Sequence, residues 1–137
     1  IPASDDRIQF CYTGDLAKII TGLLERSEPG VHIYNVGDRQ GVAFSEWIEC
    51  CARVCGRSAR IIPVHGDQWQ AKDYFPFRDY DNVLDVRRIH EIFDTDTPFE
   101  TGLAKAYQWY CENRNEIQFK PKLTANEKQI LSELGVK

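Results

Sequence analysis

No apolar run in the sequence extends beyond a few residues, far short of the roughly 20 that a membrane-spanning helix needs. No charged segment followed by an apolar one opens the chain, which starts at Ile1 rather than Met. The expectation is a piece of a longer polypeptide, soluble and cytoplasmic, without a secretion signal. Clusters of five or more Lys/Arg are also missing, and the net charge is -4 with a pI near 5.4. That balance disfavours a broad nucleic-acid surface but leaves room for a local basic pocket that takes a phosphate. No CxxC pair occurs among the five cysteines (Cys11, Cys50, Cys51, Cys55 and Cys111), and His32, His65 and His90 are scattered. An odd, irregular cysteine set excludes the framework of a secreted mini-protein and fits a reducing compartment. No GxxGxxG or GxGxxG follows a strand-like run, so the chain lacks the loop that cradles dinucleotide phosphates. Internal repeats and low-complexity tracts are absent as well.

What is present suits a folded domain. At 137 residues the chain can bury roughly 65–70% of the surface its unfolded form exposes, and 42% apolar with 28% charged residues is ordinary for a globular protein rather than a disordered one. Ile8, Phe10 and Tyr12 alternate as a strand does. Leu16, Ile19, Ile20, Leu23 and Leu24 then form one helical stripe, with Thr13 or Asp15 as N-cap and Pro29-Gly30 as terminator. Val31–Val36 (VHIYNV) reads as a strand, and Ala59–Val64 as a short strand whose Pro63 places it at a sheet edge or marks a strand end. Between them, Phe44, Trp47, Ile48, Cys51 and Cys55 share one face of a second helix stopped by Gly56. That face makes Cys51 and Cys55 small buried hydrophobes rather than metal or redox ligands.

From His65 to Asp81 no period is visible, and aromatic and charged residues crowd together, which marks a functional or mobile loop. Asp85 caps a short helix carrying Val86, Ile89 and Phe93. Thr97-Pro98-Phe99-Glu100 has the form of a capping box with Pro at the first helical position, opening a helix that buries Phe99, Leu103, Ala106, Tyr107 and Tyr110. After a break at Lys120–Lys122, Thr124 and Glu127 form a second capping box for a terminal helix ending near Gly135. The fold class expected is α/β, short strands alternating with amphipathic helices. The expected division is a substrate-binding domain over residues 1–119 and a helical extension over 120–137.

Three segments in order carry a family resemblance. Phe10-Cys11-Tyr12-Thr13-Gly14-Asp15-Leu16-Ala17 resembles an aromatic-x-aromatic strand leading into an Asp-Leu-Ala helix. Pro29-Gly30-Val31-His32-Ile33-Tyr34-Asn35-Val36-Gly37 resembles a YN(I/V/L)G strand. Asp85 through Thr97-Pro98-Phe99-Glu100-Thr101-Gly102-Leu103 to Trp109-Tyr110 resembles a terminal Pro…Glu-x-Gly-Leu…Trp-Tyr element. Together they are similar to the C-terminal half of extended short-chain dehydrogenases/reductases, the Rossmann-type NAD-dependent epimerase/dehydratase family that includes UDP-galactose 4-epimerase and dTDP-glucose 4,6-dehydratase.

The resemblance implies a nucleotide-sugar epimerase, dehydratase or reductase that uses NAD(P) and a Tyr-x-x-x-Lys pair to move hydride and proton. None of the six tyrosines here has Lys four positions on, so the cofactor half and every catalytic residue are expected outside this chain. Alone, it should be inactive and hold no NAD(P). Its implied partners are a UDP- or dTDP-sugar and an N-terminal Rossmann domain, and the family leaves room for a homodimer of the full-length protein. Arg78 matches the family arginine that meets the substrate diphosphate, where a planar fork donates two parallel hydrogen bonds. Arg7, Tyr12 and Lys72 complete the candidate substrate-binding set. Asn35, Asp85 and Trp109 read instead as a strand tie, a helix cap and a packing residue. The alternative function is a non-catalytic binding or regulatory module that keeps the same fold.

Overall fold

In the computed structural model, which describes residues 1–26, 29–66, 68–118 and 121–136, the chain is α/β with helices predominating. Strand β1 (Arg7–Ile8) pairs antiparallel with β2 (Val42–Ala43), Arg7 opposite Ala43 and Ile8 opposite Val42. The helices are α1 (Thr13–Arg26), α2 (Phe44–Val54), α3 (Ala71–Tyr74), α4 (Arg87–His90), α5 (Phe99–Glu112) and α6 (Pro121–Glu133).

Two apolar clusters organise them. In the first, Ile8, Phe44 and Phe75 are buried, and Phe10, Trp47, Ile48, Tyr74 and Phe77 pack around them. Phe44, the first residue of α2, is 1% exposed and meets the Phe75 ring at 4.8 Å in an edge-on arrangement. The second cluster joins α1 to α4: Ile19, Val86 and Ile89 are buried, with Leu23, Tyr34, Val36 and Phe93 against them. Among the described residues, α2 also packs on α5, and α3 on α6.

The helical periodicity of the sequence locates α1 and α2 well. Gly56 takes φ +65°, its N–H reaching Arg53 and that of Arg57 reaching Ala52, the left-handed stop that glycine makes without steric cost. Val86 is the N-cap of α4; Asp85, one residue before it, accepts the Arg87 N–H at 3.0 Å, and Asn35 donates to the Asp85 carbonyl, tying its own segment to the start of that helix.

Several expectations change. The Ile8–Tyr12 strand shortens to Arg7–Ile8, which pairs with Val42–Ala43 on one side and meets Asn82 in a single parallel bridge on the other. Val31–Val36 forms no strand with any described residue, and Val31 and Ile33 are 91% and 76% exposed. Among the described residues no strand lies alongside to pair with it. Ala59–Val64 forms no strand among the described residues, only one parallel bridge between Val64 and Pro2. On α2 the buried thiol is Cys50, whereas Cys51 is half-buried and Cys55 exposed, since packing against α5 covers the Cys50 flank as well as the Phe44 face. On α1, Asp15 sits inside the first turn rather than capping it, and Ile20 and Leu24 of the apolar stripe are 50% and 74% exposed.

Neither capping box forms. Glu100 pairs with Arg53 of α2 at 3.2 Å instead of returning to its own backbone, and Pro98 stands as N-cap of α5. Helix α6 starts at Pro121, which places Thr124 and Glu127 within it, and the Lys120 end of the expected break lies outside the described residues. Along α5 only Gly102 is fully buried. Phe99, Leu103 and Tyr107 are half-buried, and Ala106 and Tyr110 are exposed.

Candidate functional site

The irregular segment after α3 is clamped at both ends. Phe75 donates its N–H to the Ala71 carbonyl at 2.8 Å, while Asn82 donates to Arg7 and accepts from Gln9 at 2.8 and 3.1 Å. Asp81 accepts the Arg7 N–H at 2.8 Å. Between the clamps, the Phe77 ring is wedged among Phe10, Trp47 and Phe75 at centroid distances of 5.9, 4.9 and 5.9 Å, all near edge-on. That geometry suits aromatic quadrupoles and fixes the ring. Arg78 follows immediately and is exposed. No described residue holds it by a hydrogen bond or ion pair. Arg78 lines a cleft of about 160 Å³ with Ile8, Phe44, Pro76, Phe77, Tyr80 and Asn82. A free, rigidly based guanidinium beside an apolar wall can take an anionic oxygen without first breaking an internal bond.

The other candidates disperse around this cleft. Arg7 lies beside Ile8 on β1, but its guanidinium donates to the Gly41 carbonyl. Lys72 is exposed on α3 and lines neither this cleft nor the next. Tyr12 belongs to a second, larger cleft of about 480 Å³, whose walls include Phe10, Asp38, Thr97, Phe99, Lys105 and Trp109. There the Lys105 ammonium stands 5.2 Å from the Tyr12 ring centroid, and Gly102 leaves its Cα side against that ring.

The second cleft holds a feature that sequence reasoning missed. The Asp38 carboxyl is pushed up to about 6, chiefly by burial and then by the negative charges of Asp96 and Asp15, with His90 opposing. Nearby Asp15 goes the other way. Burial raises it, but the Thr97 N–H and hydroxyl and the Lys18 ammonium outweigh burial and hold it below its ordinary value. Two carboxyls of one region thus differ in affinity for a proton because only one of them is hydrogen-bonded. A lone Asp after Gly37 gives no hint of this, since its perturbing neighbours come from α1 and from the loop before α5.

Glycines offer a test of whether this chain could cradle a dinucleotide. A Cβ at Gly37 would lie 3.0 Å from Gln9, and one at Gly41 2.7 Å from Val83. These glycines serve close packing within the protein rather than approach of a phosphate. Together with the missing glycine-rich loop, they do not fit NAD(P) bound by this chain. Among the described residues no His/Cys/Asp/Glu group is arranged to hold a metal ion, and no helix is long and apolar enough to cross a membrane.

The chain is similar to GDP-L-fucose synthase of Escherichia coli (strain K12), with 28% identity over 96 residues. The likeness is to an enzyme. It takes in 69% of this chain but spans only 27% of that protein. No family model matches the chain, and no solved structure matches it.

Proposed function

We propose that this chain is the nucleotide-sugar-binding portion of an NAD(P)-dependent sugar epimerase, dehydratase or reductase of the extended short-chain dehydrogenase/reductase kind. The observation that carries this reading is the similarity to GDP-L-fucose synthase along 69% of the chain. The three family-like segments of the sequence add to it. In this reading the cofactor, when bound by the rest of the protein, supplies the hydride chemistry. This chain supplies a surface that holds the nucleotide diphosphate. Arg78 is its anchor, because it is unengaged, stands on a ring-packed base and borders an apolar cleft. Arg7 would have to release Gly41 before reaching a ligand, which makes it the secondary candidate.

The test is affinity for UDP, dTDP and GDP and their sugars in the full-length protein, for wild type, Arg78→Ala and Arg78→Lys. Loss of charge-assisted hydrogen bonds should cost about 1.5–3 kcal/mol, about 10- to 150-fold in affinity, in the alanine variant. Lysine should recover only part, since a point charge cannot reproduce the planar fork. Unchanged affinity in Arg78→Ala would remove Arg78 from the site. Absence of any nucleotide-sugar binding in the wild-type protein would refute the function itself.

A further inference from the structure

We infer that Cys55 and Cys111 form an oxidation site, at which a peroxide turns the Cys111 sulfur into a sulfenic acid and the Cys55 thiol closes it to a reversible disulfide between α2 and α5. Burial makes a cysteine inert, and it does so for three of the five. It pushes the thiols of Cys11, Cys50 and Cys51 up, which keeps them protonated, whereas the thiolate is the form that attacks. Cys55 and Cys111 are exposed instead. Cys55 follows the last residue of α2 and directly precedes the left-handed turn at Gly56, and Cys111 lies in the last turn of α5. Both thiols thus stand at helix ends that solvent reaches.

The packing of α2 on α5 brings the two sulfurs to one place, and the Arg53–Glu100 pair joins the same helices at 3.2 Å. The Tyr107 hydroxyl, one turn before Cys111, makes side-chain hydrogen bonds with Cys111 and with Cys55, whose sulfurs push it above its ordinary value. Two sulfurs that share one hydroxyl are neighbours, the first requirement of a disulfide. At Cys111 the Arg114 guanidinium donates to the sulfur at 3.9 Å and stands 5.8 Å from the Tyr110 ring centroid. A cation held there stabilises the charge on the departing oxygen as the O–O bond breaks. In the first step the Cys111 thiolate attacks one peroxide oxygen, and the other leaves as hydroxide or alkoxide and takes up the proton that the thiol released. The Cys55 sulfur then attacks the sulfenic sulfur, the S–O bond breaks, and the oxygen departs as water with the Cys55 proton. The two sulfurs together lose two electrons, which reduce the peroxide. A dithiol reductant reverses the bond, so it belongs to the transient disulfides that a reducing compartment permits. While it lasts, it ties α2 to the helix that walls the larger cleft.

The test is hydrogen peroxide treatment of the full-length protein, followed by alkylation of free thiols and non-reducing peptide mapping by mass spectrometry. The map should show the Cys55 and Cys111 peptides joined, lighter by two hydrogens than the separate peptides, and dithiothreitol should release them. In Cys55→Ser the reaction should stop at the Cys111 sulfenic acid, which dimedone captures. In Cys111→Ser the oxidation of Cys55 should slow by about 10-fold or more, because the attacking thiol is gone. Both side chains are exposed, so neither substitution opens a cavity, and the wild-type map needs no variant to decide. A wild-type protein in which Cys111 goes on to sulfinic or sulfonic acid while Cys55 stays free would overturn the inference. Cys111 joined to Cys51 or to a second copy of the chain would do the same, as would dimedone capture at Cys55 with none at Cys111.

Discussion

Asp38→Asn should stabilise the protein at neutral pH and do nothing in acid. In the folded chain the carboxyl holds its proton up to about pH 6, against an ordinary value of 3.8. The folded state therefore binds this proton more tightly than the unfolded state does. Linkage then requires stability to fall as pH rises between about 4 and 6, and to stay level above that. At about 1.4 kcal/mol per tenfold change in proton affinity, the gap from 3.8 to about 6 sets a ceiling of about 3 kcal/mol. The group is half-buried, and solvent screens its repulsion with Asp96 and Asp15, so about 1–2 kcal/mol is the expected effect. Asparagine removes the charge, and no hydrogen bond of the Asp38 carboxylate is lost. Its N–H to Phe10 and its carbonyl from Gln9 belong to the backbone. Urea unfolding of both proteins from pH 3.5 to 7.5 is the assay, because the difference between the curves cancels the carboxyls that do not interact with Asp38. The variant should gain about 1–2 kcal/mol at pH 7, or roughly 3–10 °C in melting temperature for a chain of this length, and nothing at pH 3.5. A difference that is flat with pH, or a variant less stable at pH 7, would refute the reasoning.

Two further perturbations probe the frame around the clefts. Phe44→Ala removes a side chain that is 1% exposed and in ring contact with Phe75 and Phe77, and should cost about 3–5 kcal/mol by chemical denaturation; a loss under about 1 kcal/mol would mean that the first cluster is not a packed core. Gly56→Ala forces a Cβ onto φ +65° with nothing within 4 Å, so its cost should be the backbone strain alone, about 1–2 kcal/mol, and a neutral outcome would show that the left-handed stop of α2 is not formed in solution.

Periodicity in the sequence was enough to place α1 and α2, because a stripe repeating at three and four residues has only one helical solution, and Gly56 could be read as the end of α2 from its type alone. Pairing is different. Whether VHIYNV becomes a strand depends on a neighbour, and nothing within residues 31–36 says whether that neighbour is present. Which thiol of α2 is buried was likewise hidden. A single-stripe reading favours Cys51 and Cys55, but α2 has two packing faces, and the one toward α5 buries Cys50. Thr97-x-x-Glu100 illustrates a third limit: the spacing permits a capping box, yet the Glu100 carboxylate has a cation from another helix within reach. Of the candidate site, Arg78 came from the family resemblance alone, whereas the proton affinity of Asp38 arises from residues distant in sequence and becomes visible only once they are assembled.

The two clefts are not independent, because Phe10 belongs to both arrangements. It lines the larger cleft, packs on Phe99 at 5.2 Å and also meets Phe77, the ring on which Arg78 is based. Interiors are packed too densely for one ring to move without its neighbours, so any shift of Phe77 that admits a ligand beside Arg78 must be absorbed by Phe10, Phe44, Phe75 or Trp47. Phe44 and Phe75 are buried within the first cluster, although Phe44 also lines the smaller cleft. Trp47 belongs to α2, which is held between β2 and α5. Phe10 alone of the four borders the open space of the larger cleft, and it lies just beyond the end of β1. Phe10 is therefore the ring through which the packing beneath Arg78 meets the larger cleft.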